Sequence, residues 1–286
     1  MKNSIGFNRQ QDVVPCPANS TATQLLRWAS SSIALMLLAV PALAQSFSFS
    51  TGDPDGRMAT ASRPGSADKE EIESADDFVL DQETLVRQAT FIGLLPAGAT
   101  ASSVAQVVVE IYRVFPKDSQ DPPDGRVPTR VNSPSDVAFE SRDSEANDLS
   151  EILQFGVAVL ADSFTADNSV LNGINPIPNQ TTGGDGPVSG EEVRIHVTFP
   201  KPFDLPADHY FFVPQVKLND GDFFWLSAPK PIAAPGTPFT PDLQSWIRNE
   251  GLQPDWLRIG TDIVGGTPPP TFNATFSLHG NVVRGS

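Results

Sequence analysis

Residues 192–199 read Glu-Val-Arg-Ile-His-Val-Thr-Phe, and this stretch decides the fold class because apolar and polar side chains alternate throughout it. Successive side chains of a β-strand point to opposite faces of the sheet, so the pattern buries one face and leaves the other in water. One-sided alternation is typical of antiparallel sheets with one solvated face. The stretch therefore predicts such a strand, with His196 on its solvent side.

The same pattern recurs along the chain. Residues 272–279 alternate in the same way and place His279 on the polar face, and residues 46–50 read Ser-Phe-Ser-Phe-Ser. Residues 107–115 and 210–218 are apolar on both faces, which predicts central or covered strands. The predicted strands are 46–50, 76–80, 86–95, 105–115, 136–141, 152–160, 191–199, 209–218, 222–227, 256–260 and 272–279.

Other structural signals are weaker. The segment from Asp242 to Glu250 predicts one short helix, with Trp246 on its apolar face. Residues 51–70 contain almost no apolar side chain and are interpreted as a long exposed loop. About eleven short strands with irregular loops and no repeat predict an all-β fold, an antiparallel β-sandwich of jelly-roll-like type with long irregular loops.

Composition is that of a folded, loop-rich chain. Of 286 residues, 39 % are hydrophobic, and the 21 glycines and 27 prolines stay below the content of disordered chains. The net charge of −15 argues against nucleic acid and anionic membrane surfaces as partners, since both require a basic surface. A single cysteine excludes a disulfide scaffold.

The N-terminal segment resembles an export signal. Arg27 precedes an apolar run at 32–40, and Ala-Leu-Ala at 42–44 matches a small-x-small cleavage site. The run is shorter than the about 20 apolar residues of a membrane span, although an uncleaved N-terminal anchor is the alternative. We expect cleavage between Ala44 and Gln45, no transmembrane anchor in the mature chain, and a secreted or periplasmic protein. Cleavage would remove the only cysteine, three basic residues and one acidic residue, changing the net charge from −15 to −17.

These signals divide the chain into three expected segments. Residues 1–44 form the signal peptide, residues 45–71 the first strand and an exposed loop, and residues 72–286 the β-sandwich domain.

Short motifs add a family resemblance. Ser-Ala-Asp-Asp-Phe-Val-Leu at 74–80, Leu-Pro-Ala-Asp-His-Tyr-Phe at 205–211 and Ala-Thr-Phe-Ser-Leu-His-Gly at 274–280 resemble a module of bacterial exported proteins. Such modules often occur in surface proteins with a PEP-CTERM sorting tail, and the resemblance covers about residues 72–280. It implies a jelly-roll-like sandwich without a catalytic signature. No sorting tail follows before Ser286, so we expect release from the cell surface.

Common catalytic motifs are absent from the sequence. There is no His-Glu-x-x-His zinc motif, no Gly-x-Ser-x-Gly nucleophile elbow and no glycine-rich phosphate loop. A pair of carboxylates remains open in so acidic a chain, so a carbohydrate-active hydrolase or lyase is the alternative function. No residue is assigned a catalytic role.

Four aspartates are the candidate metal ligands. Asp53 and Asp55 lie in an Asp-Pro-Asp-Gly turn, and Asp76 and Asp77 begin a predicted strand. Calcium takes six to eight oxygen ligands and is bound weakly by extracellular modules. The alternative is that the turn uses these residues for their backbone preferences alone. Structural calcium is thus a hypothesis, and no other cofactor is expected.

Three tryptophans are the candidate ligand-binding residues. Trp225, Trp246 and Trp256 lie close together in the sequence, and their rings on a sheet could stack on sugars. Packing in the core is the alternative, but Trp246 and Trp256 flank a polar turn at 249–251, which predicts partial exposure. The function expected from the sequence is an exported, non-catalytic binding or structural β-sandwich protein, with polysaccharide or other envelope components as partners and its oligomeric state open.

Overall fold

A computed structural model describes residues 45–121, 125–174 and 180–283. The expected signal peptide, including Ala44, lies outside these residues, and Gln45 is the first residue inside them. Within this part, regular structure is almost entirely β, and helical turns occur only at Ala101–Ser103 and Ile259–Val264. No helix there combines the length and the apolar character needed to cross a membrane.

Fifteen strands are present in the described residues. In chain order they are β1 (Ser46–Ser50), β2 (Ala59–Ala61), β3 (Ile72–Leu80), β4 (Thr84–Pro96), β5 (Val104–Arg113), β6 (Glu140–Asp143), β7 (Gln154–Ala166), β8 (Ser169–Val170), β9 (Val188–Leu205), β10 (Asp208–Leu218), β11 (Phe224–Ala228), β12 (Trp246–Asn249), β13 (Leu257–Arg258), β14 (Asn273–Ala274) and β15 (Phe276–Val282).

The larger of the two sheets is organised around β4. Strand β9 pairs along one edge of β4, and β15 and β11 share its other edge. Strand β7 lies outside β9, β1 lies outside β15, and β2 lies outside β11. All these pairs are antiparallel, and only the short β2–β8 pair is parallel. The smaller sheet has the order β13-β12-β3-β10-β5-β6 and is antiparallel throughout. The predicted all-β, jelly-roll-like sandwich with long loops is therefore confirmed as a fold class.

The core between the sheets follows the alternation that the sequence shows. Val193, Ile195 and Val197 of β9 are buried in this core, whereas His196 is exposed. Aromatic rings fill the centre, where Phe212 and Phe276 from opposite sheets stack with their centroids 5.0 Å apart. Offset stacking of this kind stabilises a core beyond its area of burial. The pattern of residues 192–199 thus sets the two faces of the larger sheet.

Two local predictions are wrong. Residues 58–62 were expected to be exposed loop, but they are buried and contain β2, which pairs with β11. With β1 paired to β15, the 45–71 segment is part of the sandwich. The expected helix at 242–250 is also wrong, because Trp246–Asn249 forms β12 between β3 and β13. Strand pairing outweighs the weak local preference of such short segments.

The outer faces of the two sheets are covered to different extents. On the smaller sheet, Trp246 and Trp256 pack over Tyr112 and Phe211, and partly buried side chains of the 114–138 segment cover them. On the larger sheet, a second apolar cluster covers the part of β4 near Ile92 and Leu94. The rest of that outer face, across β1, β15, β4 and β9, is polar and accessible.

Candidate functional site

The accessible face of the larger sheet carries rows of polar side chains. One row runs across five strands through Ser50, Ser277, Thr90 and His196 to Gly156, each paired with the next. With about 4.8 Å between neighbouring strands, this row spans about 19 Å. The next row contains Ser48, His279, Gln88, Thr198 and Gln154. The face therefore offers a wide area of hydroxyl, amide and imidazole groups.

A groove of about 270 Å³ lies on this face. Its floor includes Thr90 and Ser277, whose hydroxyl oxygens lie 2.6 Å apart. Asp53 and Arg194 also line it, and His196 and His279 extend it along the sheet. The groove thus combines one carboxylate, one guanidinium and two imidazoles with a hydroxyl-rich floor.

The wall of the groove is the segment after β1, which the protein holds in place with hydrogen bonds. Thr51 is buried, its hydroxyl donates to the carbonyl of Ala274 at 2.7 Å, and its amide donates to the carbonyl of Phe276 at 3.0 Å. Gly52 follows with φ of 102°, a backbone conformation that favours glycine, and its amide donates to Ser50 Oγ at 3.1 Å. These hydrogen bonds fix the backbone of Thr51 and Gly52 and so hold Asp53 at the rim of the groove.

The guanidinium of Arg194 makes no hydrogen bond or ion pair to any described residue. It shares this property with Arg57, whose guanidinium instead lies over the Phe272 ring, 4.9 Å from its centroid. By contrast, six arginines are paired with carboxylates, namely Arg63, Arg113, Arg130, Arg142, Arg248 and Arg258. Arg194 interacts electrostatically with Glu192, whose pKa is raised by partial burial, lowered by Arg194 and raised again by Asp53. Arg194 is therefore a donor that the fold leaves available.

The two histidines of the face are equally available. His196 and His279 are exposed, as their positions in the alternating pattern predict, and neither ring contacts a hydrogen-bond partner in the described residues. Sequence reasoning identified them only as solvent-facing residues and did not single out Arg194, Thr90 or Ser277. The alternating pattern of residues 192–199 does place Arg194 and His196 on one face of the strand. What the sequence does not show is that β15 and β1 extend that face.

The three tryptophans do not form a ligand platform, and this part of the sequence interpretation is wrong. Trp225, Trp246 and Trp256 are each 1 % exposed or less. The indole of Trp225 donates to the carbonyl of Thr275 at 2.7 Å, and that of Trp256 to the carbonyl of Ser135 at 3.2 Å. Rings buried on both faces cannot stack on a sugar, so these side chains stabilise the core.

The four candidate metal ligands do not meet at one place. Asp76 and Asp77 are neighbours on β3, so their side chains lie on opposite faces of the sheet. Burial raises the pKa of both carboxyls. Their oxygens accept hydrogen bonds from protein groups, namely Ser245 Oγ (2.9 Å) and Ala274 N (2.8 Å) for Asp76, and His209 Nε2 (2.6 Å) and Leu243 N (3.1 Å) for Asp77.

The other two aspartates are also apart from this pair. Asp53 is exposed at the rim of the groove, whereas Asp55 contacts the hydroxyl of Ser227 and accepts from the amide of Arg57 at 3.0 Å. Among the residues that the structure describes, no group of three or more His, Cys, Asp or Glu side chains could hold a metal ion. The expected grouping of Asp53, Asp55, Asp76 and Asp77 is therefore not assembled.

A carboxyl pair does occur, on the smaller sheet. The Tyr112 hydroxyl lies 2.8 Å from Glu73 Oε1 and 3.0 Å from Glu110 Oε2, and it accepts from Arg248 Nη2 at 2.9 Å. Arg248 also pairs with Glu73, which is 1 % exposed. Desolvation and the neighbouring Glu73 raise the pKa of Glu110 to about 8. The pair is bound into an internal network and leaves no room for a sugar between its carboxyls.

Comparison of the chain with protein-family models, with curated proteins and with solved structures finds no match.

Proposed function

We propose that the protein is an exported, non-catalytic binding protein that holds a neutral polysaccharide on the open face of the larger sheet. The observation that carries this proposal is the groove at Arg194, where the fold leaves donors and acceptors without internal partners. Arg194, His196 and His279 make no hydrogen bond to described residues and lie beside the bonded Thr90–Ser277 pair, an arrangement that suits a ligand with its own hydrogen-bonding groups.

The chemistry of the groove favours hydroxyl groups as the ligand's contacts. A sugar hydroxyl both donates and accepts, so it can bond to Asp53, to Arg194 and to the Thr90 and Ser277 hydroxyls alike. The one carboxylate and the one guanidinium balance each other, which favours a neutral ligand. A hydrogen bond from a sugar hydroxyl to the charged Asp53 or Arg194 would contribute about 1.5–3 kcal/mol to the free energy of binding.

The shape of the groove favours a polymer over a small molecule. Sites for small molecules are enclosed and mostly apolar, whereas this groove is open to solvent and includes charged and hydroxyl side chains. The polar rows continue past the groove from β1 to β7. A chain of sugar residues could therefore make repeated contacts along the row from Ser50 to His196.

The cellular setting of this proposal comes from the N-terminal sequence. A cleaved signal peptide ending at Ala44 would place the protein in the periplasm or outside the cell, where polysaccharide and other envelope components are available. A purely structural role in the envelope is the outcome if no polysaccharide binds.

The alternative of a hydrolase or lyase receives less support. It requires two accessible carboxyls about 5–10 Å apart on either side of a bound sugar. The Glu73–Glu110 pair brings two carboxyls together on the smaller sheet, but Arg248 and Tyr112 occupy Glu73.

The test is affinity electrophoresis in gels that contain a soluble β-1,3-glucan, xyloglucan or galactomannan. We expect one of these to retard the protein, and we expect Arg194→Ala and His196→Ala to weaken the retardation. Loss of a charge-assisted hydrogen bond predicts a dissociation constant roughly ten times higher for Arg194→Ala.

Lys201→Ala is the matched control, because Lys201 is an exposed cation of β9 outside the groove. It should bind like the unaltered protein. Equal retardation of Arg194→Ala and the unaltered protein would place binding elsewhere, and no retardation in any gel would end the polysaccharide proposal.

A further inference from the structure

Strand β7 is an uncovered edge of the larger sheet. Its thirteen residues, Gln154–Ala166, pair on one side with β9. Within residues 45–121, 125–174 and 180–283, no strand pairs with its other side. Half of the backbone donors and acceptors of an edge strand point outward and form a template for another strand.

The core is incompletely closed beside this edge. Phe155 and Val157 of β7 pack against the main core but stay partly exposed, and Val159, on the same face, is 46 % exposed. The adjacent Leu160 is 39 % exposed. The side chains of Phe155, Val157 and Val159 face inward along the register of β9, but no described strand lies beyond them to complete their burial. An added strand would cover them and gain hydrophobic free energy.

The edge also lacks the usual protection against pairing. Residues 152–161 contain no charged residue and no proline, although the chain as a whole carries a net charge of −15. Natural sheets protect an exposed edge with charges, prolines or bulges. Register shifts at 159–161 and 161–164 supply bulges only at one end, so Gln154–Val159 remains a regular strand.

We propose that β7 pairs with β7 of a second copy of this chain, antiparallel, about a two-fold axis through Val157 and perpendicular to the sheet. Residues directly opposite each other in such a pair share a face, so the sequence must match itself around the axis. It does: Val157 lies opposite Val157, and Phe155 of each copy lies opposite Val159 of the other. On the outer face, Gly156 lies opposite Ala158, and both are small enough to leave the pairing unobstructed.

The pairing makes one continuous sheet of both copies. Because the axis is perpendicular to the sheet, the two polar faces point the same way. A second copy, as opposed to an unrelated strand, follows from this self-matching and from the absence of charge at the contact. An isologous contact of this kind closes at two copies.

The test is sedimentation velocity of the protein purified after expression with its own N-terminal segment, from micromolar to near-millimolar concentration. We expect a monomer–dimer equilibrium that shifts toward dimer at raised ionic strength, since salt screens the repulsion between two acidic chains. Val159→Lys should abolish the dimer, because lysine on an edge strand opposes pairing. Leu149→Lys is the matched control: Leu149 is 80 % exposed outside β7, and its variant should still dimerise.

Equal melting temperatures would show that both variants fold. Independently of any variant, amide exchange of residues 154–159 should slow as the concentration of the unaltered protein rises. A monomer at all concentrations, a Val159→Lys dimer, or open-ended assembly beyond two copies would each overturn the proposal.

Discussion

Replacing Glu110 by glutamine should make the protein more stable at neutral and alkaline pH. Its carboxyl contacts the Tyr112 hydroxyl at 3.0 Å, and that hydroxyl lies 2.8 Å from Glu73. A hydroxyl has one proton and can donate to only one carboxylate at a time. The network is therefore fully bonded when Glu110 is protonated, and glutamine copies the shape and the donor of that form.

The size of the effect follows from proton linkage. Desolvation, with the charge of Glu73 added, raises the pKa of Glu110 from 4.5 to about 8 in the folded protein. The unfolded chain releases this proton near pH 4.5, so the folded state loses stability as pH rises from there to about 8. At 1.36 kcal/mol per pKa unit, the loss between pH 5 and pH 8 is about 3 kcal/mol. Glu110→Gln removes the pH-dependent loss of stability that comes from this carboxyl, and it leaves the other titrating side chains of the protein present.

The assay is urea unfolding of both proteins at several pH values from 5 to 8. The stability of Glu110→Gln minus that of the unaltered protein should grow by about 3 kcal/mol across this range. Glu145→Gln, at an exposed position, is the control and should show a constant difference. A constant difference for Glu110→Gln as well would refute the proton assignment in this network.

Three further predictions concern the earlier expectations. Trp256→Ala should lower the free energy of unfolding by about 3–5 kcal/mol, because the ring is fully buried and Arg248 lies 4.3 Å from its centroid; a loss below 1 kcal/mol in urea titrations would contradict the core assignment. EDTA should leave the melting temperature unchanged, because protein donors occupy Asp76 and Asp77; a decrease that added calcium reverses would restore a metal site. N-terminal sequencing of exported protein should begin at Gln45, and retention of the N-terminal segment would instead support an uncleaved anchor.

The sheet faces could be predicted from the sequence because they depend on local alternation. Val193, Ile195 and Val197 face the core and His196 faces solvent, as residues 192–199 indicate. Strand β2 could not be predicted in the same way. Its Ala-Thr-Ala sequence shows no apolar pattern, and its burial depends on β11 and β8, which pair with it across long sequence separations.

The tryptophans show where the local argument fails. Glu250 and Gly251 are exposed, as expected of the polar turn, but Trp246 and Trp256 on either side are buried. Their cover comes from the distant segment that contains Ser135, whose carbonyl accepts from the Trp256 indole. Nothing close to either tryptophan in the sequence encodes that contact.

The candidate site was partly visible in the sequence. Arg194 and His196 could be placed on one face, but the contribution of Ser50 and Ser277 depends on strand order. Whether a partly buried arginine is paired depends on the whole fold. The local sequence does not indicate which of Arg63 and Arg194 is paired, yet in the fold Asp222 forms an ion pair with Arg63 and not with Arg194.

The most direct test of the central claim is an NMR titration of the isotope-labelled protein with an oligosaccharide from whichever polysaccharide retards it. The side-chain resonances of Arg194, His196 and His279 report on the groove, and those of Trp246 and Trp256 report on the covered outer face of the smaller sheet. We expect shifts in the groove set that saturate with ligand and no shifts in the tryptophan set. Saturable binding that leaves Arg194 and His196 unshifted would contradict the assignment of this face as the binding site.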